Sequence, residues 1–153
     1  RNIGTLLKRD QRQWAIENGI ETITWTFDPL VRRNARLNIL KLGADVSEYL
    51  VNFYGLMQDQ LNHGDESDRM MAAWNVNSPK AHLAAEGSLH ALTTIPNSAV
   101  VVPLPEDIVA LRQHNLEEAQ AWRLRVREQV TAAFADGYRL IGLDPHDSYV
   151  FDM

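Results

Sequence analysis

The spacing of apolar and polar positions changes several times along the chain, and each change marks a predicted element. Ile3, Leu6, Leu7 and Trp14 fall near one face of a helix that opens on a glycine turn at Gly4 and stops at Asn18-Gly19. Ile20 to Phe27 reads as a strand, since Ile23, Trp25 and Phe27 alternate with Thr22, Thr24 and Thr26, and Asp28-Pro29 ends it. A second helix runs from about Val31 to Leu42 and is closed by Gly43, and Arg69 to Trp74 could be a strand. From Asn75 to about Pro105 the periodicity fades into a connection, within which Ala99 to Leu104 could add an edge strand limited by Pro103 and Pro105. Pro105-Glu106-Asp107 opens helical sequence. A long helix then spans about Leu116 to Ala135, with Ala119, Trp122, Val126, Val130, Ala133 and Phe134 spaced by threes and fours. Asp136-Gly137 ends it, and Tyr138 to Leu143 could pair with Tyr149-Val150-Phe151 in a hairpin around Asp144-Pro145. That last strand is one that the first sheet, or the sheet of a partner subunit in a homodimer, could accept. The order of elements predicts a mixed α/β fold.

Composition narrows the function less than the pattern narrows the fold. The 153 residues suit one domain, and 45% hydrophobic residues can bury a core. No run of eighteen apolar residues is present, so no spanning helix is expected, and a cytoplasmic location follows as an expectation. The absence of cysteine excludes disulfides, thiolate metal sites and a cysteine nucleophile. The five histidines have no i, i+4 pairing on a helix, so no metal is expected. A net charge of −5 argues against nucleic acid as the main partner. Local charge points elsewhere: Arg1, Lys8, Arg9, Arg12, Arg32, Arg33, Arg36 and Lys41 place eight of the fifteen basic residues on the first two helices. Such a concentration is either a pair of solvated faces or a site for a phosphate-rich ligand.

Two motifs bear on that choice. The chain opens Arg1-Asn2-Ile3-Gly4-Thr5, a glycine ahead of a helix, where unpaired N–H groups and the helix dipole suit a phosphate. The second helix reads Arg32-Arg33-Asn34-Ala35-Arg36-Leu37-Asn38-Ile39-Leu40-Lys41-Leu42-Gly43-Ala44. The order glycine turn, helix, strand, helix ending Lys-x-Gly resembles the second half of the GNAT superfamily of acyl-CoA-dependent N-acyltransferases. There the pattern Arg-x-x-Gly-x-Gly opens the helix that holds the CoA pyrophosphate. A pattern near Asn-x-x-Ala-x-x-Leu-Tyr-x-Lys-x-Gly-Phe lies on the helix beside the pantetheine arm. Gly4 takes the last glycine of the first pattern, Asn2 replaces the preceding one, and the leading Arg would lie before residue 1. Ala35, Lys41 and Gly43 match the second pattern, while Arg32, Asn38 and Ile39 stand where Asn, Leu and Tyr are usual. Trp25-Thr-Phe-Asp-Pro-Leu, Phe53-Tyr54-Gly55-x-Met57-x-Asp59-x-Leu61-Asn62-x-Gly64 and Ser67-Asp68-Arg69 are similar to a group of predicted bacterial GNAT acetyltransferases.

The resemblance implies a GNAT-like fold in its C-terminal half over residues 1–76, a connection over 77–104 and a helix-strand extension over 105–153 packing on the same domain. It implies a fragment, inactive alone, whose general base and oxyanion donors lie upstream. It further implies direct transfer of an acyl group from acetyl-CoA or another acyl-CoA to the amine of a small molecule. Arg1, Asn2, Ile3, Gly4 and Thr5 would hold the pyrophosphate, with Arg33, Asn34 and Asn38 along the cofactor. Asn34 and Asn38, at i and i+4, would offer their amides on one helix face, or else serve as an ordinary helix-start residue and a surface polar. Ile39 has no proton to give the leaving thiolate, so Tyr54 is the candidate general acid, against the plainer role of a packed aromatic. Ser67, Asp68 and Arg69 would fix the acceptor, or cap and pair at a turn. A non-catalytic module that binds CoA or another anion is the alternative.

Overall fold

The computed structural model describes residues 3–55 and 64–153, and among these the chain is a mixed α/β protein with two small antiparallel sheets. Helix α1 spans Ile3–Glu17 and strand β1 spans Thr22–Phe27. Helix α2 begins over Arg32–Ala35 and continues as a π-helix over Arg36–Lys41. Strand β2 spans Asp45–Leu50 and β3 spans Arg69–Asn75. Because β3 pairs antiparallel with both, the first sheet has the order β1-β3-β2. Helix α3, Pro79–Ala85, is followed by β4 over Val100–Val102, α4 over Ile108–His114 and α5 over Leu116–Ala135. Strands β5, Arg139–Leu143, and β6, Tyr149–Asp152, complete a second sheet of order β4-β6-β5.

Four differences from the sequence reading have identifiable physical causes. Gly4 is helical, within the described span of α1, instead of lying in a turn ahead of it. Strand β2 was not anticipated, since its Asp-Val-Ser-Glu-Tyr-Leu sequence buries only Val46 and alternates weakly. Helix α3 occupies part of the expected connection; Ser78 caps it by accepting from the Ala81 N–H at 3.1 Å, and Pro79 opens it. The C-terminal strand β6 joins neither the first sheet nor a free edge, because β4 and β5 flank it within the chain.

Helix α1 buries Thr5 and Ala15 and half-buries Lys8, Arg12 and Ile16, so its inward face mixes small, apolar and cationic side chains. Lys8 lies over the Trp25 ring at 3.8 Å, and the Arg12 Nε donates to the Val76 carbonyl at 2.8 Å. Burial lowers the Lys8 pKa. Ile3, Leu6, Leu7 and Trp14, the apolar positions of one helix face, are each more than half exposed.

One hydrophobic cluster runs through both sheets, from Ala15, Phe27 and Trp74 to Val126, Leu140 and Phe151. Trp25 and Trp74 meet edge to face at 5.8 Å, and Trp74 donates its Nε1–H to the Leu42 carbonyl at 2.8 Å. Tyr149, fully buried on β6, donates its hydroxyl to the Pro29 carbonyl and so ties the second sheet to the turn after β1. That burial pushes its phenol pKa well up.

Candidate functional site

A pair of clefts lined by basic side chains lies along α1 and α2. The first, about 510 Å³, is lined by Ile3, Gly4, Thr5, Arg33, Asn34, Arg36, Leu37 and Lys41. The second, about 610 Å³, shares Thr5, Arg36 and Lys41 and adds Leu6, Arg9, Leu40, Ala84, Gly87 and Leu89. Neither lining includes a carboxylate, and Arg9, Arg33 and Lys41 make the clefts cationic beside Arg36, whose charge is met by Asp147. A β-carbon at Gly4 would stand 3.9 Å from the Leu37 side chain, which is ordinary contact, so what glycine provides is bare backbone at the cleft wall.

The second half of α2 is π-helical. Its i→i+5 bonding is seen in the Leu42 N–H donating to the Leu37 carbonyl at 3.0 Å. The two asparagines nevertheless have different surroundings. Asn34 lines the cleft, whereas Asn38 is buried and accepts from the Trp25 Nε1–H at 3.1 Å. Ile39, at the position where the resemblance puts a tyrosine, packs in the core. Gly43 then ends the helix with φ of +71°, its α-carbon so close to α3 that a β-carbon would fall 2.5 Å from the Lys80 carbonyl oxygen.

Arg36 is the cleft residue with a specific ionic partner. Asp147, in the β5–β6 turn, accepts from its Nε at 3.2 Å and from its Nη2. This carboxylate raises the guanidinium pKa further.

The residues expected to handle the acceptor form a second group, outside the lining of either cleft. Tyr54 is exposed, packs edge to face on Phe53 at 5.1 Å, and has the Arg69 guanidinium 5.3 Å from its ring centre. Its backbone N–H donates to the Ser67 hydroxyl at 2.9 Å. Asp68 is buried and accepts from the Tyr49 hydroxyl at 2.6 Å, the Asn52 N–H at 2.9 Å and two nitrogens of Arg127 at 2.7 and 2.8 Å. Arg69 donates to the Asp68 carbonyl at 2.7 Å and lies 3.8 Å from Asp28. Arg1 and Asn2 lie outside the described residues, as do Met57, Asp59, Leu61 and Asn62 of the resemblance.

Asp68 is one end of an ionic chain that the sequence reading did not contain. Asp28 pairs with Arg112 at 2.7 Å, Arg112 approaches Asp65 at 3.5 Å, and Asp65 pairs with Arg123 at 2.6 Å. Arg123 continues to Glu66 at 3.0 Å, Glu66 to Arg127 at 2.7 Å, and Arg127 to Asp68 at 2.7 Å. Asp65, Asp68, Arg112 and Arg123 are buried, which is sustained only by pairing. Desolvation and the neighbouring Asp68 charge push the Tyr49 pKa far up, while hydrogen bonding to Asp68 raises that of Arg127. One signal could have disclosed the chain: Arg123 stands in the apolar stripe Ala119, Val126, Val130 of α5, a place where a lone charge would be untenable.

Comparisons of the chain with protein-family models, curated proteins and solved structures return no match. Among the described residues, no helix is long and apolar enough to cross a membrane.

Proposed function

We propose that the α1–α2 clefts bind the phosphates of an acyl-CoA and that the chain belongs to an N-acyltransferase of GNAT type, acting on the amine of a small molecule. The observation that carries this reading is the convergence of Ile3, Gly4, Thr5, Arg33 and Asn34 on one cationic cleft, although they come from two helices about thirty residues apart. Support also comes from the element order: a helix that includes Gly4, a strand, then a helix closing on Lys41-Leu42-Gly43. Arg33 and Lys41 would bind phosphate oxygens. Asn34 would orient the arm, and Asn38 would act indirectly by holding Trp25.

In the reaction the amine nitrogen attacks the thioester carbonyl, the C–S bond breaks, the amine loses a proton and the thiolate gains one. Tyr54 remains the proposed proton donor, with Ser67, Asp68 and Arg69 shaping the acceptor side. A second reading, a binding module without turnover, is favoured by Ile39, which is buried and aprotic where the resemblance expects a tyrosine.

Calorimetric titration of acetyl-CoA tests the cofactor. Micromolar binding is expected, weakened roughly tenfold by Arg33→Ala and by Lys41→Ala, in line with loss of one charge-assisted hydrogen bond. Absent binding, or variants indistinguishable from wild type, would sink the reading. Release of CoA thiol with any of a panel of amines would then rule out the module.

A further inference from the structure

The contact between Arg36 and Asp147 joins the cationic clefts to a part of the chain far away in sequence, the tip of the β5–β6 hairpin. We propose that Asp147 is a built-in competitor for the clefts: its carboxylate occupies the two-pronged edge of Arg36 that an anionic ligand would use, so that only a ligand of high charge density, such as a pyrophosphate, displaces it. The inference rests on the clefts being an anion site, as proposed above.

Four observations carry it. Arg36 lines both clefts, the only arginine to do so among the described residues. Its Nε and Nη2, the pair that grips a phosphate in parallel hydrogen bonds, are the atoms engaged by the two oxygens of Asp147. The arrangement is asymmetric, with the Arg36 side chain 51% exposed and the Asp147 side chain 13% exposed, so an incoming anion reaches the guanidinium while the carboxylate stays seated against the protein.

The fourth observation is that the carboxylate is placed by its own turn. Asp144 Oδ1 accepts from the N–H groups of His146 and Ser148, both at 2.9 Å, and the Asp147 N–H donates to the Asp144 carbonyl at 3.1 Å. This holds Asp147 at φ of +64°, a left-handed conformation that Asp and Asn tolerate best after glycine. The turn therefore presents the carboxylate without needing Arg36 to order it.

Exchange of one anion for another at a half-exposed guanidinium is close to balanced, because exposed ion pairs contribute little net free energy. A single carboxylate in solution gains nothing by displacing Asp147, whose effective concentration is set by the fold. A polyphosphate recovers the lost contact and adds those to Arg33 and Lys41. Asp147 would thus set selectivity by charge.

The test titrates inorganic pyrophosphate and acetyl-CoA into wild type, Asp147→Asn and Asp147→Gly, with Asp10→Asn as control. Asn and Gly both suit the left-handed turn. Asp10, on α1, lines neither cleft and carries the same unit of charge. Expected is a gain in pyrophosphate affinity of about two- to fivefold for both Asp147 variants, the worth of an exposed pair, with Asp10→Asn unchanged. Equal gains in all three variants would reduce the effect to net charge and overturn the proposal, as would unchanged or weaker binding in the Asp147 variants. If pyrophosphate discriminates among the variants while acetyl-CoA binds none of them, the cofactor reading falls and the competitor stands. If neither probe binds any variant, both fall.

Discussion

At the scale of single residues, burial separates ion pairs that matter to stability from those that do not. Asp65 is fully buried between Arg123 and Arg112, and removing its charge leaves two guanidiniums without their shared counter-ion. Asp65→Asn is expected to cost about 3–5 kcal/mol in urea denaturation, the range for breaking a buried pair from one side. Asp45 pairs with Lys80 on the surface, both well exposed, and Asp45→Asn should cost less than about 1 kcal/mol in the same assay. Equal costs for the two would mean that the Asp65 chain is hydrated and weak. The same contrast bears on the acceptor-side residues, since Asp68 already holds four donors and any substitution there disturbs folding and chemistry together.

Among elements, α2 shows how a short irregularity governs a site. Its π-helical winding and its glycine stop set where Arg36 and Lys41 emerge and how closely α3 approaches. Gly43→Ala meets both a left-handed φ and a backbone oxygen at 2.5 Å, whereas Gly19→Ala meets φ of +70° with nothing within 4 Å. Thermal or urea unfolding should therefore report a loss of about 2–5 kcal/mol for Gly43→Ala and about 1–2 for Gly19→Ala. A Gly43→Ala variant as stable as Gly19→Ala would show that α3 yields easily.

The long elements were legible because local chemistry and periodicity agree in them. Asp136-Gly137 ends α5 at the residue that the apolar spacing implies, and the threonine alternation of β1 survives as alternating exposure. The orientation of α1 was not legible. Apolar spacing shows that a helix has two faces, but the inward one carries Thr5, Ala15 and Ile16 together with Lys8 over Trp25 and Arg12 on Val76, partners that lie far off in sequence. Nor was the partner of Asn38 legible: its carbonyl accepts from the Trp25 indole on a neighbouring strand, and nothing in Arg-Leu-Asn-Ile-Leu-Lys announces a π-helix. Of the candidate site, the basic crowding was plain in the sequence, while the arginines of α4 and α5 that anchor the 65–68 segment were invisible without the fold.

For the molecule as a whole, the two buried phenols make a prediction about alkaline pH. Tyr49 and Tyr149 are both held neutral, their pKa values raised chiefly by burial. Above about pH 10 the unfolded chain releases these protons and the folded chain keeps them. Stability is therefore level below that pH and falls above it, by up to about 1.4 kcal/mol per pH unit for each tyrosine. Denaturation midpoints followed from neutral to strongly alkaline pH should show this slope, and Tyr49→Phe and Tyr149→Phe should each remove part of it. A midpoint independent of pH would contradict the burial of both groups.

The chain of ion pairs has a further consequence during synthesis. Its acids at 28, 65, 66 and 68 are translated well before Arg112, Arg123 and Arg127, so the nascent first sheet carries several carboxylates bound for the interior with their partners still to be made. Until α5 leaves the ribosome those groups must stay hydrated, and the 65–68 segment lacks its arginine partners. Closure of the sheet is thus expected late, once the helix arrives, with an early waiting period in which a truncated nascent chain would be readily cut by protease.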